Sequence, residues 1–108
     1  MAQEQHNHFD ILIGNTGIQG GAGRPCNEKD TLRWQNESDY QITSFSLPGC
    51  VGAQPSPGFI AVGDQTPIYA VQEGAKVPGQ VTSYPYSWLL QDGTLIIVNT
   101  QSGTIDVS

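Results

Sequence analysis

The chain has 108 residues, of which 37% are hydrophobic and only 13% charged, and its net charge is −6. That length makes one domain with a single core of its own. The four cations, Arg24, Lys29, Arg33 and Lys76, are too few and too scattered to bind nucleic acid or an anionic membrane surface, and the longest apolar run, residues 95–98, falls far short of the roughly 20 residues of a membrane span.

Residues 1–7 read as a polar, frayed lead-in, without the cationic and apolar regions of a signal peptide. The charge content, well under the roughly 25% of an average soluble domain, favours a secreted or extracytoplasmic chain over a cytoplasmic one. His6 and His8, with Glu4 and Asp10 nearby, could capture a divalent ion, but two histidines in a frayed terminus make a poor site. No metal or other cofactor is expected. Residues 8–13 form a strand with Phe9, Ile11 and Ile13 on one face. Residues 14–25 hold five glycines and read as a long flexible loop between sheets. A nucleotide-binding turn would need G-x-G-x-x-G opening a helix, or Gly-Lys-Ser/Thr, and neither occurs.

Cys26 and Cys50 each sit beside Pro or Gly, and two readings stand. A disulfide would close a loop of roughly two dozen residues, worth about 3 kcal/mol; otherwise both are free, partly buried thiols. Their spacing matches no zinc or redox motif. Between them, residues 31–48 read as two strands joined by an acidic turn. Leu32 and Trp34 share one face, Arg33 and Gln35 the other. The apolar positions then switch parity from Tyr40 and Ile42 to Phe45 and Leu47, which predicts a bulge near Thr43 and Ser44 or a change of sheet. Asn36-Glu37-Ser38 matches a glycosylation sequon.

In residues 49–58, Pro55 and Pro57 argue against regular structure. Residues 59–62 are a short apolar run, 67–72 a strand candidate apolar on both faces, and 77–80 a type II turn with Pro78 and Gly79 at its centre. Tyr84, Tyr86, Trp88 and Leu90 alternate along a strand, and Asp92-Gly93 turns the chain into residues 95–98. Residues 99–103 read as a further turn before a last strand at 104–108, giving a three-strand meander. Pro85 places the first of these strands at an edge or at its own start. No helical period appears anywhere.

The run Thr31-Leu32-Arg33-Trp34-Gln35-Asn36, a short turn, and a strand from Tyr40 resemble the core strand pair of cupredoxins, and residues 103–107 are similar to the last strand of such proteins. The resemblance covers about a quarter of the chain and implies a β-sandwich. It does not extend to copper, which requires two His, one Cys and usually a Met: Tyr40 and Gln41 stand where a histidine is expected, and residues 87–102 contain no Cys, His or Met. The predicted fold is therefore all-β, with residues 1–108 forming one antiparallel sandwich of about seven short strands, cupredoxin-like or immunoglobulin-like, and essentially no helix.

No nucleophile elbow or metalloprotease motif is present, and both histidines lie in the first eight residues, so no catalysis is expected. What remains is recognition. Tyr84, Tyr86 and Trp88 share one face of one strand. If that face turns inward they are core; if outward, they make a platform for a sugar ring, a proline-rich peptide or a second subunit. The functional expectation is a binding or assembly module acting through protein–protein contacts or self-association, with a small carbohydrate-binding domain as the alternative.

Overall fold

Leu32, Trp34 and Asn36 turn inward while Thr31, Arg33 and Gln35 stay partly open, which is the two-residue period of a strand with one face in a core. The same alternation recurs along the chain. The computed structural model describes residues 7–21, 23–52, 56–94 and 96–108, and they contain nine strands. These are β1 (His8–Gly14), β2 (Gly17–Ile18), β3 (Gly23–Cys26), β4 (Thr31–Asn36), β5 (Gln41–Phe45), β6 (Gly58–Ile60), β7 (Tyr69–Ala70), β8 (Thr82–Gln91) and β9 (Ile97–Val107). Among the described residues the only helical segment is a 3-10 turn, Gly49–Val51, which carries Cys50 and Val51 into the core.

Four strands form one sheet in the order β2-β1-β4-β7, and five form a second in the order β3-β9-β8-β5-β6. Both sheets are mixed, which corrects the expectation of a purely antiparallel fold: β1 runs parallel to β4, and β3 parallel to β9. The cause is the path of the chain. After β2 it leaves the first sheet, adds β3 to the edge of the second, and returns to lay β4 beside β1. Parallel neighbours require such a crossover rather than a hairpin. The glycine-rich stretch read as one loop thus contains two short strands and bridges the sheets.

The inner faces of the two sheets meet in one apolar cluster. Ile11, Ile13, Leu32 and Trp34 come from the first sheet, and Ile42, Phe45, Tyr86, Trp88, Leu90, Ile105 and Val107 from the second. Trp34 lies at the centre, 5.3 Å from the Phe45 ring and 5.4 Å from that of Tyr86. Its indole N–H donates to the Tyr86 hydroxyl at 2.9 Å. Trp88 donates to Gln101 Oε1 at 2.7 Å, so both buried indoles have polar partners.

The parity switch in β5 is a bulge. Register against β6 shifts between Thr43 and Phe45, and Ser44 takes a left-handed φ of 52°. The turn at 77–80 forms with Gln80 N–H donating to the Val77 carbonyl and Gly79 at φ 85°. Pro85 lies in the half of β8 that β5 does not reach, since β5 pairs only with Leu89 to Gln91. The lead-in lies outside the described residues except for Asn7, whose N–H donates to Asp30 Oδ1 and whose carbonyl accepts from Thr31.

The final meander is corrected to a hairpin. β9 continues through residues 99–103 without a turn, paired to β8 throughout. The polar residues stay in the strand because Gln101 is a core residue: it accepts from Trp88, and its Nε2 donates to the carbonyls of Gly14 and Asn15.

Candidate functional site

The aromatic stripe faces inward. Tyr86 is 4% exposed and Trp88 1%, while Tyr84 is half-buried with its hydroxyl donating to the Ala75 carbonyl. The exposed platform is therefore corrected to core, because these positions share the face that β8 turns toward Trp34. Burial pushes the Tyr86 phenol up to about 12, against the opposing hydrogen bond from Trp34.

Cys26 and Cys50 are free and buried, so the disulfide reading is set aside. Cys26 sits at the end of β3 and Cys50 in the 3-10 turn, each turned inward by its own element. Burial, then the charges of Asp30 and Asp106, push the Cys26 thiol to about 11. Burial, then Cys26, pushes Cys50 to about 12. Both are protonated at neutral pH, which denies them the thiolate that nucleophilic or redox chemistry needs. The sequon also fails on geometry. Asn36 is 1% exposed, and its carboxamide is bonded to the carbonyls of Tyr40, Ile60 and Ala61.

One constellation on the outer face of the first sheet escaped sequence reasoning. His8 Nε2 lies 2.9 Å from Asp10 Oδ1, and its Nδ1 lies 2.7 Å from Thr31 Oγ1. The carboxylate can only accept, so Nε2 carries the proton, and a neutral imidazole then accepts from the threonine hydroxyl at Nδ1. The order of groups is that of a hydroxyl nucleophile, base and carboxylate. Its setting differs. Arg33 donates to both oxygens of Asp10, and chiefly that hydrogen bond, with His8 adding to it, holds the carboxyl below the usual carboxylate range against the cost of burial. The His8 and Asp10 side chains are both 37% open to water, and the Thr31 N–H is occupied by the Asn7 carbonyl and so is not available as an oxyanion donor. His6 and Glu4 lie outside the described residues, among which no three His, Cys, Asp or Glu side chains gather in metal-binding geometry.

The two chain regions where copper ligands would be expected do meet. Asp39, Tyr40, Gln41, Val62 and residues 91–93 line a cavity of about 290 Å³ at one end of the molecule. The donors do not suit copper. Asp92 Oδ1 accepts from the N–H groups of Thr94 and Ile96 and from the Thr94 hydroxyl, and these hydrogen bonds lower its pKa. Asp39 accepts from Asn15.

The feature that stands out is the edge of β9. The other edge strands are short: two residues in β2 and β7, three in β6, and four in β3, which also holds Pro25. Short strands and prolines are how sheet edges are normally protected. β3 covers only Thr104 to Val107, so along residues 97–103 β9 has β8 on one side and, among the described residues, no strand on the other. The Ser87 N–H and carbonyl both bond to Ser46, toward β5 and away from β9. Its partner Ser102, and Thr100 two residues earlier, therefore point their backbone groups outward, as the alternation of an antiparallel ladder requires. No charged residue lies between Asp92 and Asp106. At the start of this edge Ile96, Ile97 and Val98 are 63%, 53% and 45% exposed, three large apolar side chains in succession. Beside it runs a polar groove of about 360 Å³, with residues 16–18 on one wall and 99–102 on the other.

Compared with known proteins, the chain matches no family model, and no curated protein matches it in sequence. No helix among its described residues is long and apolar enough to cross a membrane. The sequence did carry a signal for the edge, since residues 96–102 are β-prone, uncharged and free of Pro and Gly. The polar composition of residues 99–103 masked it as a turn.

Proposed function

We propose that the chain is a non-enzymatic binding or assembly module that takes an extended segment onto the β9 edge, residues 97–103, as an added strand. The scaffold is a β-sandwich of the cupredoxin-like type without the metal. The passage of β2 and β3 from an edge of one sheet to an edge of the other supports this, as does Trp34 of β4 packed against Phe45 of β5 and Tyr86 of β8.

The observation that carries the functional reading is the long, uncharged edge, which pairs regularly with β8 from Asn99 to Gly103 beyond a bulge at Val98. Its outward N–H and carbonyl groups supply main-chain hydrogen bonds to an incoming strand, and Ile96, Ile97 and Val98 supply apolar contact. The sugar-binding alternative has lost its platform to the core. Selection from a random-peptide display library tests the reading. Enriched sequences should be extended, β-branched and weakly charged, and their affinity should fall at least tenfold in Thr100→Pro. Proline there removes an outward N–H without touching the β8 ladder. Peptides that bind wild type and Thr100→Pro alike would contradict the proposal.

A further inference from the structure

We infer that the strand received is β9 of a second copy of this chain, running antiparallel about a two-fold axis at Thr100; this rests on the edge reading above. Three features of the edge select the copy over a foreign strand.

The first is charge. The chain carries −6, so two copies repel, and at physiological salt that field decays over about 8 Å. The edge lies within an uncharged run bounded by Asp92 and Asp106, which keeps like charges out of the contact. A charged foreign strand would find no complementary side chain along it, whereas another β9 is equally neutral.

The second is length. The slot is closed at one end by Gly23 of β3, which stands beside Thr104. Centred on Thr100, a second β9 places its Ile97, where the strand begins, beside Gly103, so it occupies the slot without reaching β3.

The third is self-complementarity. Thr100 faces Thr100 and exchanges both backbone hydrogen bonds with it, while the exposed Val98, which bulges out of the β8 ladder, comes near Ser102 of the other copy. A threonine pair is a favourable cross-strand neighbour. The arrangement joins two five-stranded sheets edge to edge by an isologous contact. A single seven-residue strand pair is small beside a standard interface, so the dimer is weak and forms only at high protein concentration.

Sedimentation velocity across a series from low micromolar to millimolar protein tests this. Wild type should move from the monomer mass of 11.6 kDa toward twice that value. Thr100→Pro should stay monomeric or dimerise at least tenfold more weakly, with unchanged tryptophan emission showing that it is folded. Val98→Lys, a change at an exposed side chain, should weaken the dimer likewise and carries the test should the proline variant not fold. Strictly monomeric wild type at millimolar concentration, with selected peptides still binding in a Thr100-dependent way, overturns the self-pairing and leaves the edge reading standing. A dimer indifferent to both substitutions overturns the self-pairing, and selected peptides equally indifferent to Thr100→Pro overturn the edge reading with it.

Discussion

Trp34→Ala is expected to cost about 3–5 kcal/mol, the range for deleting a buried large aromatic side chain. Trp34 is fully buried, contacts the rings of Phe45, Tyr69 and Tyr86, and belongs to the inner face of one sheet while most of these partners belong to the other. Its loss opens a cavity between the sheets and strips the Tyr86 hydroxyl of its donor. Small domains have about 5–15 kcal/mol in total, so the variant should lose about a fifth of its stability or more. Trp88→Ala should fall in the same range, because Trp88 is equally enclosed and stacks on Tyr86 with ring centroids 5.4 Å apart. Urea unfolding followed by circular dichroism measures both. A Trp88→Ala cost below about 1 kcal/mol, as for ordinary surface changes, would return the aromatic stripe to the surface.

Asn36→Ala is expected to cost about 2–4 kcal/mol, more than its small volume suggests. The carboxamide nitrogen donates to the carbonyls of Tyr40 at 2.8 Å and Ile60 at 3.0 Å, with Ala61 at 3.2 Å. Its oxygen accepts from the Ser38 N–H at 3.0 Å and the Ser38 hydroxyl at 2.6 Å. One side chain at the end of β4 thereby fastens the turn into β5 and the chain leaving β6, tying the two sheets together at that end. Alanine takes the acceptor from the buried Ser38 N–H and a donor from the Ile60 carbonyl, at about 1–3 kcal/mol for each group left unsatisfied, while the Tyr40 carbonyl keeps the Ser38 hydroxyl and that of Ala61 keeps the Asp64 N–H. Asn36→Asp should be at least as severe at neutral pH, since a carboxylate would face the same carbonyl oxygens with no proton to offer. Chemical unfolding of both variants checks this, and a loss under about 0.5 kcal/mol for Asn36→Ala would show the network to be dispensable.

What was legible in the residues was mostly local. The period of Leu32 and Trp34, the parity switch that became the bulge at Ser44, the Val77–Gln80 turn and the position of Pro85 all follow from sterics or alternation within a few residues. The parallel pairings left no such trace. His8 meets Thr31, and Gly23 meets Thr104, across long stretches of chain, and nothing nearby in sequence encodes direction. The glycines at 17, 20 and 21 take positive φ as a loop would, yet Gly17 belongs to the two-residue β2, and Gly20 and Gly21 lie between it and the four-residue β3. Residues 99–103 looked like a turn because Asn, Gln, Ser and Gly are turn residues. Gln101 nevertheless belongs to a strand, since the indole of Trp88 needs an acceptor in the core. The same misreading hid the candidate site: an edge becomes visible only once β9 is known to be continuous and β3 known to cover only its last four residues. Which way the Tyr84, Tyr86 and Trp88 face would turn was equally undecided by alternation, which fixes the shared face but not its direction.

Residue-resolved amide hydrogen exchange on dilute protein tests the free edge most directly, because it needs no ligand and reads the outward groups one by one. The amides of Thr100 and Ser102 should exchange orders of magnitude faster than those of Asn99 and Gln101, which bond to β8. Raising the concentration, or adding an edge-binding peptide, should slow Thr100 and Ser102 selectively. Thr100 and Ser102 amides as protected as their neighbours in the dilute monomer would mean that the edge is already covered, and would contradict the proposed mode of binding.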